Sequence, residues 1–465
     1  MNTDPKERFI AIARDLQKPA GDSPLFSTRE GIRANQAAFN RACHVTWKRL
    51  HLEAINELLV LDQVARIEKA KAGKRPSPIL AWTDYSRALW RKVSDAIIWE
   101  LCGMERHLVK RLCLYRERGH LSESNAPHAL ATLQALNAAP DVVAIWNDAT
   151  SCVDVGDVTV AHPGGLVGIE LKEGKVNEEV MALLSKTGEI SVEDRQRIET
   201  AFGPDAVKQL DRAIRQDQRN RQVEALIRDE RGIDPVSGRE IVIGDLTHVE
   251  VTSSHEVLEG LLREALASPT HEALRVVDGC LWVYAHAGPR SDGRPESVRF
   301  AELLSERSAF ARRVLSKSLQ RGDYARIAPL EHGAHEPLAV PLFLRLAPDL
   351  VGEVMYGAFL HGRVQFFLDW DAFAELFAEV GAKFIWREGK EARRARSEPW
   401  AMRRLIVDER LPMVEVGEAK LFFMGTHLIQ LYFDGMSPRT LIRLMVETAE
   451  VVRVTNSQES NVKEA

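Results

Sequence analysis

Apolar positions recur at helical spacing through the first quarter of the chain. Leu50, Ile55, Leu58, Leu59 and Val64 make one stripe, and Ile97, Ile98, Leu101, Leu108 and Leu112 another. Repeats of three and four residues are the mark of helices with one buried face. Residues from about 30 to 118 are therefore expected to be helical, interrupted by a basic stretch from Lys69 to Pro78. A solvated helix end and linker is the favoured reading of that stretch over a phosphate contact. From Ser122 the period changes. Ser122 or Ser124 is placed to cap a helix from about Ala126 to Asn137. Val142 to Trp146 then reads as a strand, and two β-branched runs follow on either side of Pro163, Gly164 and Gly165, the punctuation of a hairpin. A polar segment runs from Lys172 to about Pro204, and residues 205–230 read as a long helix. Gly244 to Thr252 reads as a strand, Ser253 and Glu256 have capping-box spacing, and Cys280 to His286 is a further strand.

Side chains alternate faces along a strand. In the hairpin, Val167, Ile169 and Leu171 share one face, and Gly168, Glu170 and Lys172 the other; Asp157 and Thr159 point opposite to Val158 and Val160. A loop of Pro163-Gly164, or of His162 to Gly165, sets Asp157 opposite Glu170, whereas a three-residue loop shifts the register. Directly opposed Cβ atoms lie roughly 4.5–5.5 Å apart, where two carboxylates repel. A divalent cation between them removes the conflict, and hard oxygen ligands suit Mg²⁺. Lys172 is then near the metal, placed to orient or deprotonate a water or to stabilise transition-state charge.

Asp157 at the start of one strand, with Glu170-Leu171-Lys172 on the next, resembles the PD-(D/E)xK nuclease superfamily. Gly156 stands at the position of the motif's Pro. The resemblance covers roughly residues 120–290 and implies a restriction-endonuclease-like αβββαβ core, an α/β fold. It also implies Mg²⁺- or Mn²⁺-dependent hydrolysis of phosphodiesters, with Asp157, Glu170 and Lys172 catalytic and Asp157, Glu170 and the Leu171 carbonyl holding the metal. The family's helix after the motif often carries a supporting Gln or Lys, for which Gln209 is the candidate. Its first core helix often carries a Glu, for which Glu123, Glu100 and Asp95 are candidates, with Glu123 placed first.

The long helix has a basic row. Lys208, Arg212, Arg215 and Arg219 are spaced four, three and four, on one side of a helix. Such a row suits successive backbone phosphates, and a solvated face balanced by Asp205, Asp211 and Asp217 suits it equally. A second basic cluster, from Lys383 to Arg404, interleaves Phe384, Trp386 and Trp400. Aromatics among cations stack on unpaired bases in single-strand binders, but a strand followed by a charged loop is the favoured reading. His332 and His335 are too few for a metal site, and neither a P-loop nor a Gly-x-Ser-x-Gly elbow occurs.

At 465 residues the chain has room for two or three domains. The expected division is an N-terminal helical region over 1–119, the nuclease-like domain over 120–290, a C-terminal α+β accessory domain over 291–455 and a disordered tail over 456–465. In that C-terminal region Val354 to Phe359, Val364 to Leu368 and Leu421 to Met424 read as strands, and Trp370 to Val380 and Thr440 to Ala449 as helices. With 45% hydrophobic and 28% charged residues and a net charge of −5, the chain reads as an ordinary soluble protein, and nucleic-acid binding rests on local patches. Five cysteines without CxxC spacing point to reduced thiols and a cytoplasmic location. No secretory signal or stretch of about 20 apolar residues is seen, so no membrane partner is expected. The function expected is a metal-dependent DNA endonuclease, associated with bacterial genome defence. A non-catalytic nucleic-acid-binding or assembly protein on the same scaffold, and an RNA nuclease, are the competing readings; a homodimer or a partner protein is left open.

Overall fold

The first apolar stripes become a pair of long helices. The computed structural model describes residues 4–18, 31, 34–73, 75–114, 119–163, 165–171, 191–229, 231–233, 240–242, 253–315, 327–390 and 410–450. Helix α1 (Pro5–Gln17) precedes α2 (Gln36–Ala72), α3 (Pro78–Leu101), α4 (Arg106–Leu112) and α5 (Ala126–Leu136). Helix α3 starts sharply because Pro78 needs no hydrogen-bond acceptor at the first helical position. The Ser77 hydroxyl also accepts the Leu80 N–H at 3.4 Å. Leu50, Ile55, Leu58, Ile97 and Ile98 are fully buried. Val64, expected in the same stripe as Leu50, is 38% exposed instead. Asn125, not Ser122 or Ser124, caps α5, by accepting the His128 N–H.

Strands β1 (Val143–Trp146), β2 (Val158–His162) and β3 (Gly165–Ile169) form an antiparallel sheet in the order β1-β2-β3. Helix α6 (Val192–Phe202) lies within the stretch read as merely polar. Its signal is a capping box, in which Ser191 and Asp194 satisfy each other's backbone N–H groups. Helix α7 (Pro204–Asp229) follows, then a two-stranded ribbon of β4 (Arg231–Ile233) and β5 (Glu240–Val242). The expected strand over 244–252 lies outside the described residues, as does the tail over 456–465.

The remaining elements are α8 (His255–Ala267), β6 (Glu272–Val277), β7 (Leu281–His286), α9 (Glu296–Arg307), α10 (Ala309–Leu315), β8 (Ile327–Pro329), α11 (Pro348–Tyr356), β9 (Val364–Leu368), α12 (Trp370–Glu379), β10 (Lys383–Arg387), β11 (Leu411–Val416), β12 (Ala419–Phe422), α13 (Gly425–Tyr432) and α14 over 438–450. Two further antiparallel sheets result, ordered β6-β7-β9-β8 and β10-β11-β12. The segment from Val354, expected as a strand, is the end of α11. Pro348 opens that helix, and Leu350, Val351, Val354 and Met355 are buried at helical spacing. Ser253 does not box with Glu256; its hydroxyl accepts the His255 N–H at 3.1 Å, and α8 begins after Ser254.

Contacts divide this mixed α/β chain, with its small antiparallel sheets, into two units. One is 18–243, and the other joins 1–17 to 244–465. These are not the expected boundaries. Helix α2 lies against β1 and β2, which merges the helical region with the hairpin, and β7 belongs to the sheet of the second unit. Helix α1 packs on α11, with the Phe9 ring stacked on Phe343 and Tyr356.

Candidate functional site

The hairpin has the two-residue loop. His162 pairs with Gly165, Val160 with Val167 and Val158 with Ile169, and continuing that register sets Asp157 against Glu170. The ladder stops one rung short of that pair. Gly156 adopts φ +75° and turns the chain in toward β3, so close that a Cβ there would meet the Ile169 carbonyl at 3.1 Å. Proline, fixed near φ −65°, cannot occupy this position, and glycine can. The Asp157 N–H donates to the Ile169 carbonyl at 2.8 Å, and the Leu171 N–H donates to Asp157 Oδ2 at 2.6 Å. The Asp157 carboxylate is thereby held against the Glu170–Leu171 peptide. Asp157, Glu170 and Leu171 are half-buried, and Lys172 lies outside the described residues.

Buried polar groups build the platform beneath. Asn147 donates to the carbonyls of Val155 (2.9 Å) and Gly156 (3.1 Å) and accepts the Thr159 hydroxyl (2.8 Å), fixing the turn into β2. Asn137 closes both ends of its amide on Ala144. His51 of α2 accepts the Trp146 N–H at Nε2, 2.9 Å, so Nδ1 carries the proton given to the Ser94 hydroxyl. Complete burial pushes the His51 imidazole down to about 3, which keeps it neutral in this role. Asp95 of α3 is fully buried. It pairs with Lys92 at 3.1 Å and accepts the Ser151 hydroxyl and the N–H groups of Ser151 (2.7 Å) and Cys152 (3.2 Å). That bonding makes Asp95 a loop anchor. Asp154 accepts the Leu114 N–H at 2.5 Å, and Asp148 accepts the Ser124 hydroxyl at 2.6 Å.

Helix α7 meets the hairpin through its C-terminal half. Asn220, Val223 and Glu224 line a cavity of about 10 Å³ with Val155, Thr159, Leu166 and Gly168, room for a single water. Thr159, Leu166 and Gly168 share the sheet face that carries Asp157 and Glu170. Asn220 is buried, and its Oδ1 has no hydrogen-bond partner among the described residues, so a water there would complete it. The spacing of 220, 223 and 224 was the available sequence signal. Gln209 is exposed, three turns before Asn220, and Glu123 is exposed in a 3-10 turn ahead of α5. Lys208, Arg212 and Arg215 are exposed and Arg219 is half-buried; Lys208 pairs with Asp205 at 2.8 Å. In the second unit Phe384 and Trp386 are half-buried against Trp370, and the Arg410 guanidinium sits 4.4 Å over the Trp386 ring. Residues 391–409 of the basic cluster lie outside the described residues.

Among the described residues no group of three His, Cys, Asp or Glu side chains is arranged to hold a metal. Zinc, which takes three or four protein ligands, does not suit the hairpin. Magnesium does, because it binds through one or two carboxylates and keeps water or phosphate oxygens. An ionised carboxylate has about four lone-pair sites, so the Leu171 bond to Asp157 is compatible with a metal on the same group. No family model, curated protein or solved structure matches the chain. No helix among the described residues is long and apolar enough to cross a membrane.

Proposed function

We propose that the chain is a metal-dependent nuclease acting on DNA, with its site on the β2–β3 hairpin. The observation that carries this reading is the Asp157 carboxylate held against the Glu170–Leu171 peptide by the Leu171 N–H. Asp157, Glu170 and the Leu171 carbonyl are the residues that would hold Mg²⁺ or Mn²⁺. The bound ion supplies Lewis-acid polarisation of the phosphodiester. Lys172, next along the chain, orients the attacking water or takes its proton. The exposed Lys208, Arg212 and Arg215 supply sequence-independent affinity for phosphates. Cleavage of single- and double-stranded DNA and RNA, with Mg²⁺ and with Mn²⁺, is the test. The wild type is expected to cut DNA, and Lys172→Ala and Glu170→Gln to lose roughly 10²-fold or more in rate. Equal cleavage by wild type and both variants sinks the assignment of the site. Binding without cleavage on every substrate points instead to a non-catalytic nucleic-acid-binding protein, and cleavage of RNA alone to a ribonuclease.

A further inference from the structure

The outer face of α2 carries an apolar seam. Val45 is 76% exposed, Leu52 37%, Val60 54% and Ile67 56%, while Cys43, Trp47, Leu50, Ala54, Ile55 and Leu58 on the inner face are fully buried. The seam residues are 45, 49, 52, 56, 60, 63 and 67, in steps of 4, 3, 4, 4, 3 and 4. Such steps keep to one line along a helix. The pattern reads the same in both directions from Asn56. Leu52 and Val60 are each four residues away, Arg49 and Gln63 seven, and Val45 and Ile67 eleven. Apolar thus matches apolar, and polar matches polar.

We infer that α2 pairs antiparallel with α2 of a second copy, the two-fold axis passing at Asn56. A two-fold interface uses the same patch twice and must be complementary to itself under reversal, which is the property this line has. Val45 then meets Ile67, Leu52 meets Val60, and Arg49 donates to the Gln63 amide oxygen. The two Asn56 amides face each other, each able to donate and accept. Polar residues within an apolar seam fix register at some cost in strength. They also make the line a poor membrane face, which needs a continuous apolar stripe. The seam spans about 33 Å at 1.5 Å per residue, and a helix about 10 Å wide gives a footprint on the order of 300 Å². That is well below the roughly 800 Å² per partner of a standard interface. Ile79 and Trp82, just past the α2–α3 connection where Ser77 bonds Glu68, are exposed as well. The pair is accordingly weak and concentration-dependent. On one flank Lys48 of one copy comes alongside Arg66 of the other, so added salt strengthens it.

The interface stands independently of the nuclease reading, and it is tested on the full chain. Sedimentation equilibrium from about 1 to about 200 µM brackets the affinity of a small interface. The wild type is expected to pass from monomer to dimer, and Leu52→Glu with Val60→Glu to weaken association about tenfold or more. The native cysteines are all buried, so introduced surface thiols report alone. Under mild oxidation Asn56→Cys is expected to cross-link to itself and Val45→Cys to stay monomeric. Val45→Cys together with Ile67→Cys is expected to cross-link. All these positions are exposed, and retained circular dichroism checks the fold. Cross-linking by Val45→Cys alone overturns the antiparallel pairing. A monomer across the whole range, with Asn56→Cys remaining reduced, overturns the interface.

Discussion

The two units solve the same problem, a small antiparallel sheet, by different means. In the second, the β10-β11-β12 sheet leans on rings. Trp370 lies 5.3 to 5.9 Å from Phe373, Phe384, Trp386 and Phe423, mostly edge to face. In the first, β1 and the start of β2 are pinned by side chains bonded to backbone: His51 to Trp146, Asn137 to Ala144, Asn147 to Val155 and Gly156, and Asp95 to Ser151 and Cys152. Ring packing is strong but tolerant of small shifts. Directed hydrogen bonds hold a backbone to a few tenths of an ångström, and that is what the proposed site on the hairpin would need. A three-stranded sheet of short strands has little apolar area of its own to bury, so it borrows rigidity from the helices packed on it.

The contrast can be broken at Asp95. Asp95→Ala removes the ion pair of the buried Lys92 and strands three donors, and is expected to cost about 3–5 kcal/mol. Hydrogen exchange should show lost protection over 143–162 with 364–386 unchanged, and Trp370→Ala the reverse. Equal loss in both regions from Asp95→Ala would remove the distinction. Acidity separates the units next. His51 has its pKa lowered from 6.5 to about 3, so below pH 6.5 only its unfolded form takes up a proton. Its contribution is therefore present above 6.5 and lost progressively toward 3. In the second unit burial pushes the Glu296 carboxyl from 4.5 up to about 7. That contribution is present below 4.5 and lost as pH rises through 7, while burial of His255, lowered to about 3, acts in the same direction as His51. Urea midpoints by pulse proteolysis should fall for the first unit between pH 7 and 4.5, and His51→Gln should flatten that slope. The smallest effect concerns the turn itself. Gly156→Ala forces a side chain into the left-handed region and is expected to cost about 1–2 kcal/mol, read as a lower melting temperature with weaker Mn²⁺ binding by calorimetry. No change in either would mean that Gly156 does not shape the hairpin.

Much of this was legible from pattern alone. The period change near Ser122 and the strands on either side of Pro163 follow from local chemistry, as do β9 and α12; the Pro-Gly-Gly stretch allowed several loop lengths, and the pairing of His162 with Gly165 decides among them. The register reached the rung before Asp157 and failed there, because a positive φ at Gly156 redirects the chain and alternation carries no signal of it. The basic row of α7 stands out in the sequence because charge marks the solvated side of a helix, while Asn220 and Glu224, which meet the hairpin, are individually unremarkable residues. Asp95 read as a ligand candidate because Ser151 and Cys152, whose groups it accepts, lie more than fifty residues away, and no local spacing reports them. Long-range contact likewise decides that α1 joins the second unit.

The five cysteines offer a separate use. Each sits on a different piece of the molecule: Cys43 on α2, Cys102 ending α3, Cys113 following α4, Cys152 beneath the hairpin and Cys280 opening β7. All are buried, and burial pushes the thiols of Cys43, Cys102, Cys152 and Cys280 up, away from the reactive thiolate. A thiol in this state reacts only when its surroundings open. Mass-tagging rates at the five positions would then amount to a set of clocks, one for each local opening event, in the native chain and without a single engineered residue.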